Sequence, residues 1–187
     1  MNFQIFNKDI FKILTIISLS PGSKFSRDEL KKYTKMNNVL LDNALNILIN
    51  SKIILREKRF FFLNLEKEDV KNVIDIVSLN YKKLNSLPLN VYFSILDFIF
   101  YLSRYKNFRL YLFGSYSKLI FNDKSDIDIV IVADSLDKNK KLFNKIAQKI
   151  EKTYGKEIEI HYFSTNFEKQ KNDPLVKEIL KNGVRLI

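Results

Sequence analysis

The chain has 187 residues, 46% of them hydrophobic and 28% charged, with 32 Lys and Arg against 21 Asp and Glu for a formal charge of +11. That size can bury the core of one domain or of two small ones, and four glycines and three prolines leave little scope for extensive disorder. The absence of cysteine excludes disulfides, thiolate metal sites and cysteine nucleophiles, and a single histidine makes a multi-histidine zinc site or a conventional histidine-centred triad hard to assemble. Chemistry must then rest on carboxylates, hydroxyls, lysines and backbone.

The opening MNFQIFNKDIFKILTII is too interrupted by polar residues for a signal peptide, and no apolar run approaches the roughly eighteen residues that span a bilayer. A cytoplasmic protein with no membrane partner is expected. The positive charge favours polyanionic partners by field and counterion release without identifying one. Its distribution is uneven: residues 1–65 carry 11 basic and 5 acidic side chains (+6), residues 66–106 carry 6 and 5 (+1), and residues 107–187 carry 15 and 11 (+4).

In chain order, Ile5, Phe6, Ile10, Ile13, Leu14 and Ile17 form an apolar stripe at helical spacing that stops at Pro21-Gly22. Ser26 and Glu29 have capping-box spacing for a second helix with Leu30 and Tyr33 on its inner face. Asn37 or Asn38 caps a third, which carries Leu41, Ala44, Leu45, Leu48 and Ile49. Ile53-Ile54-Leu55 and Phe60-Phe61-Phe62-Leu63 then flank the charged tip Arg56-Glu57-Lys58-Arg59, the pattern of a two-stranded hairpin. Three helices and a basic-tipped hairpin predict a winged helix-turn-helix over residues 1–65. Lys24, Arg27, Lys31, Lys32, Lys35 and the tip suit the backbone of double-stranded DNA, whereas the third helix has no Lys or Arg with which to read bases. Dimerisation, as in a homodimer, or docking to a protein is therefore open beside DNA binding.

Residues 66–88 read as a linker helix with Val70, Val73, Ile74 and Val77 in its stripe, ended near Pro88. A helix over residues 89–105 is apolar around so much of its circumference that it must be buried, and a second domain, residues 89–187, opens there. From Arg109 the pattern runs strand, short helix, strand, helix, strand. Leu110 to Phe113 is broken by Gly114-Ser115; Ile127 to Ala133 is rich in β-branched residues; Leu142, Ile146 and Ile150 recur at helical spacing; Glu157 to Phe163 alternates. The expected class is α+β: a winged helix-turn-helix, a linker helix, and a mixed sheet with flanking helices.

Asp126 and Asp128 lie two apart, so on a strand both carboxylates point to one face about 6.6 Å apart at the backbone. Like charges so placed repel unless a cation sits between them, and two Mg²⁺ ions about 3.5–4 Å apart turn such a pair into a phosphoryl-transfer site. Gly114 permits a sharp turn after a strand, and Ser115 with the following N–H groups can donate to a phosphate.

With this spacing the sequence resembles the minimal nucleotidyltransferases of the DNA polymerase beta-like superfamily. The resemblance covers residues 89–187 and rests on Gly114-Ser115, on Ser125-Asp126-Ile127-Asp128, on a later acidic residue on a strand, and on the ending DPLVKEILKNGV. It implies that Gly114, Ser115, Lys118 and Ser125 hold the phosphates of ATP or another nucleoside triphosphate, and that Asp126, Asp128 and a third carboxylate bind two Mg²⁺ ions. Where relatives carry an Ala-Arg-Gly-like run after the turn, this chain has Ser117-Lys118-Leu119, in which Lys118 keeps the positive charge. The third carboxylate is Glu157 or Glu159. Glu159 is preferred as the one nearer the strand centre, with His161 on the same face as a wall residue. The implied reaction moves AMP to a hydroxyl of a protein or an RNA, with a toxin as the protein partner when the enzyme serves as an antitoxin. The alternative is a DNA-binding regulator whose nucleotidyltransferase-like domain senses a nucleotide without turning it over.

Overall fold

The computed structural model describes residues 7–82, 86–102, 105, 108–134, 136–170 and 172–186. The chain divides into two compact units, Met1–Asn85 and Ser86–Ile187.

In the first unit, α1 (Lys8–Ser18) is capped by Asn7, whose side chain accepts the Asp9 N–H, and it buries Ile10, Ile13, Leu14 and Ile17. Ile5 and Phe6 of the sequence stripe lie outside the described residues. A two-residue strand, β1 (Phe25–Ser26), leads into α2 (Arg27–Thr34), which opens on the expected capping box: Ser26 Oγ accepts the Glu29 N–H and the Glu29 carboxylate accepts the Ser26 N–H. Leu30 and Thr34 are buried, but Tyr33, expected beside Leu30, is 45% exposed. The i, i+4 pair defines the inner face here, and Tyr33 falls about 100° of helix rotation short of Thr34.

α3 (Asn38–Asn50) is capped by Asn37 and buries Leu41, Ala44, Leu45 and Leu48. β2 (Ile54–Glu57) and β3 (Phe60–Leu63) pair antiparallel, with β1 on the other side of β3. The tip is tighter than the sequence suggests. Arg56 and Glu57 belong to β2, and the turn is Lys58-Arg59, with Lys58 in the left-handed region at φ 53. α4 (Glu68–Lys82) packs against α1 and buries Val70 and Val77.

The second unit opens with α5 (Leu89–Leu102), followed by β4 (Phe108–Phe113), α6 (Gly114–Lys118), β5 (Ile127–Ala133), α7 (Leu136–Tyr154), β6 (Ile158–Phe163), α8 (Pro174–Asn182) and β7 (Val184–Arg185). The sheet is mixed, in the order β6-β5-β4-β7: β5 and β6 run parallel, and β4 is antiparallel to both β5 and β7. The parallel pair needs a crossover, and α7 supplies it.

Each face of the sheet has its own cover. Tyr111, Phe113, Val130 and Val132 pack with Val176 and Ile179 of α8 and with Phe167 in a 3-10 turn. The pleat sends Leu110, Leu112, Ile129 and Ile131 to the opposite face, where they are also buried. Tyr162 is in register with Ile131, and its hydroxyl donates to Asn144 Oδ1 at 2.8 Å, which places α7 on that second face. α7 shows its core side through Phe143, Ala147, Ile150 and Tyr154, while Leu142 of the sequence stripe is 37% exposed. Tyr154 in turn donates to buried Asp97 of α5 at 2.8 Å, tying the two helices together.

Candidate functional site

Strand register builds the site. Phe113, the last residue of β4, is opposite Asp128, the second of β5, and Asp128 is opposite Glu159, the second of β6. His161 follows Glu159 by two residues and is opposite Val130, so Asp128, Glu159 and His161 share the face that α8 covers further along. Ligand atoms of these three side chains all lie within 4.8 Å of one another, and His161 Nε2 is 3.3 Å from Glu159 Oε1. The Phe113 ring and the imidazole meet edge to face at a centroid distance of 5.0 Å and an interplanar angle of 79°. That contact fixes the tilt of the imidazole.

Gly114 makes the fourth wall. It sits at φ +69, and a Cβ on it would stand 2.7 Å from Asp128 Cγ, so the Asp128 carboxyl occupies the space that any larger residue would fill. The Ser115 N–H donates to this carboxyl. Burial pushes the Asp128 carboxyl above its ordinary value and the charge of Glu159 pushes the same way; His161 opposes them, Asp126 adds a smaller upward push, and the Ser115 N–H opposes least. The carboxylates are thus held together at an electrostatic cost that a cation would relieve. Two carboxylates and one imidazole are an apt donor set for a divalent metal ion.

Asp126, in the loop one residue ahead of β5, acts on Asp128 through its charge and is not among the three whose ligand atoms converge. Glu157 is exposed and precedes β6; its backbone carbonyl accepts the Ile127 N–H. Glu159 is second in a six-residue strand, not central. Its partnership with Asp128 arises from register, with both at the beginning of their strands. Ser125 Oγ accepts the Asn122 N–H, bracing the 122–125 loop, while Tyr116 beneath it is buried and stacks on Phe121. Lys118, at the end of α6, pairs with Glu178 of α8, and Lys124 is exposed. The pairing of Lys118 holds the Glu178 carboxyl below its ordinary value. His161 is the site residue that sequence reasoning set aside as a wall. The visible signal was its spacing of two from Glu159.

Residues 98–187 match the family model described as "Polymerase beta, Nucleotidyltransferase". The match covers 90 of the 187 residues and makes this part of the chain similar to nucleotidyltransferase domains. The matched span runs from within α5 through β7 and contains every residue of the site. A solved structure described as "Crystal structure of the toxin-antitoxin with AMP-PNP" is 24% identical over 50% of this chain and 70% of that chain, at a TM-score of 0.38, a likeness too slight to argue from. No curated protein matches the chain. Among the described residues, no helix is long and apolar enough to cross a membrane.

Proposed function

We propose that the nucleotidyltransferase domain is a Mg²⁺-dependent enzyme that transfers AMP from ATP to a hydroxyl of a protein or an RNA, and that it serves as an antitoxin when the acceptor is a toxin. The observation that carries this reading is the Asp128 carboxyl seated against Gly114, facing Glu159 across a parallel strand pair in a domain similar to this family. In the reaction the acceptor oxygen attacks the α-phosphorus of ATP, a new P–O bond forms, the bond to the β-phosphate oxygen breaks, pyrophosphate leaves and the acceptor proton passes to solvent. Bound divalent cations would supply charge neutralisation at the triphosphate and a more acidic acceptor hydroxyl. Asp128 and Glu159, with Asp126 beside them, would hold those cations.

The protein's own share is positional. Gly114 leaves the space that the Asp128 carboxyl needs, and the Ser115 N–H sets its direction. Ser115, Lys118 and Ser125 would contact the phosphates, Lys118 by exchanging its ion pair with Glu178 for a phosphate oxygen. Holding reactants in line and matching developing charge supplies most of the acceleration in this class of reaction. The test is Mg²⁺-dependent transfer of α-labelled ATP to protein or RNA acceptors. Asp128→Asn is expected to lower the rate by roughly 10³-fold with the circular-dichroism spectrum unchanged, and transfer by D128N at the wild-type rate would overturn the mechanism.

A second reading concerns the first unit. The order of α1, β1, α2, α3, β2 and β3, with β3 central in a three-stranded antiparallel sheet, supports a winged helix-turn-helix over residues 1–65, with residues 66–88 as a connecting helix. The Lys58-Arg59 turn and Arg56 would then meet DNA phosphates, in a regulator whose second domain senses a nucleotide. Phosphate contacts predict binding to duplex DNA that falls steeply from 50 to 200 mM salt. No saturable binding at 50 mM salt would leave homodimerisation or protein docking as the role of this unit.

A further inference from the structure

The chain's single histidine lies in the acidic cluster. An imidazole there is unnecessary for a site that takes Mg²⁺ through oxygen alone. Mg²⁺ prefers oxygen donors and keeps much of its water, whereas imidazole nitrogen suits first-row transition ions. Three features bear on what His161 does. The first is convergence: the parallel register of β5 and β6 fixes Asp128 and Glu159 side by side and His161 two residues on, and their ligand atoms fall within 4.8 Å of one another with no backbone movement. The second is orientation, since Nε2 faces the Glu159 carboxylate at 3.3 Å while the Phe113 ring packs against the imidazole. The third is access: the His161 side chain is 26% exposed and that of Glu159 60%, so an ion and its water can enter from solvent.

We propose that His161 Nε2 is a direct ligand, together with Asp128 and Glu159, of a divalent transition-metal ion, which makes the cluster a mixed nitrogen–oxygen site that takes Mn²⁺ in preference to Mg²⁺. The inference rests on the reading of Asp128 and Glu159 as metal-holding residues. It departs from the carboxylate-only set by adding a nitrogen donor and a choice of metal. Asp128, Glu159 and His161 would each supply one donor to the ion, and water with phosphate oxygens of a bound nucleotide would complete its coordination. Nothing in this arrangement requires the imidazole to act as a base.

A lone histidine makes the test direct, because any imidazole coupling seen at a bound paramagnetic ion comes from residue 161. The 187-residue chain, prepared without a histidine tag, is titrated with Mn²⁺ alone and studied by pulsed electron paramagnetic resonance. The expected result is ¹⁴N modulation from one imidazole, converted to a ¹⁵N pattern by selective histidine labelling. The same titration followed calorimetrically is expected to show His161→Gln weakening Mn²⁺ binding by roughly tenfold or more while changing Mg²⁺ binding by less than about threefold. Bound Mn²⁺ without nitrogen coupling overturns the proposal. If Asp128→Asn then still abolishes Mn²⁺ binding, the carboxylate reading stands and the histidine assignment alone fails. If D128N binds Mn²⁺ as the wild type does, or the wild type binds none, both fail. The labelling arm uses the unaltered sequence, so the outcome does not depend on whether H161Q folds.

Discussion

Replacing Gly114 by alanine should disable the site while leaving the domain folded. At φ +69 an L-residue costs about 1–2 kcal/mol relative to glycine. The added Cβ would stand 2.7 Å from Asp128 Cγ and 3.1 Å from Asp128 Cβ, where carbon atoms in ordinary contact are about 3.5–4.0 Å apart. The Asp128 carboxyl must therefore retreat by about 1 Å. It is the free end of a side chain, so it can do so by rotation, and an off-rotamer torsion costs about 0.5–1.5 kcal/mol. A total near 2 kcal/mol lowers Tm by about 8–16 °C for a domain of about 100 residues, which a domain stable by about 5–15 kcal/mol survives. Function should suffer more, because a misplacement of about 1 Å costs about 10²-fold in rate and the displaced carboxyl is a metal-holding group in the proposed site. The assay pairs a circular-dichroism melt with a Mn²⁺ titration and a transfer rate on the same preparation. A G114A protein that melts below the wild type yet binds Mn²⁺ within twofold of it would refute the view that this glycine exists to seat Asp128.

Three other outcomes follow from the same geometry. Asp128→Asn should stabilise the metal-free chain at neutral pH. Burial, and next the charge of Glu159, raise the native Asp128 pKa above its ordinary value, so its contribution is fully present below that ordinary value and is lost as pH rises through the raised one. The Tm difference between D128N and wild type in chelator should accordingly grow from acid to neutral pH, reaching about 0.5–2 kcal/mol in stability; a difference independent of pH would contradict it. Glu159→Gln should cost far more transfer activity than Glu157→Gln, since Glu159 is in register with Asp128 and Glu157 lies exposed before the strand, and initial rates at saturating Mg²⁺ measure the ranking. Tyr154→Phe should destabilise the second unit by about 1.5–3 kcal/mol through loss of its buried hydrogen bond to Asp97, seen as a lower urea midpoint with an unchanged slope.

Much of the fold is legible in the chain because its signals are local. The Ser26–Glu29 capping box, the Asn37 cap, the glycine that breaks β4 and the β-branched run of β5 each involve residues a few positions apart. Two-residue strands such as β1 and β7 leave no such trace, since they exist through their pairing with β3 and β4. Helix faces were legible to within a rotation. Leu142 and Tyr33 satisfy the apolar period yet remain exposed, because the roll of a helix is set by what it packs on, and Phe143-Ala147-Ile150-Tyr154 is the row that meets the core.

The site divides along the same line. Sequence by itself determined the chemical inventory: carboxylates without cysteines, one histidine, a Gly-Ser turn, and an Asp-x-Asp at a strand's start. It also determined that Glu159 and His161 share one side of a strand, since that follows from a period of two, whereas Glu157, expected with them, lies before β6. Tertiary structure decided which of them meet. The parallel register of β5 with β6 puts Glu159 beside Asp128 and carries His161 into their reach, while Asp126 stays in the preceding loop. A slip of β6 by one residue would turn Glu159 and His161 to the other face, and what opposes it is the packing of Phe163 against the cluster of Tyr111, Val130, Val132, Val176 and Ile179 together with the burial of Ile158, contacts between residues distant in the chain that no local pattern encodes.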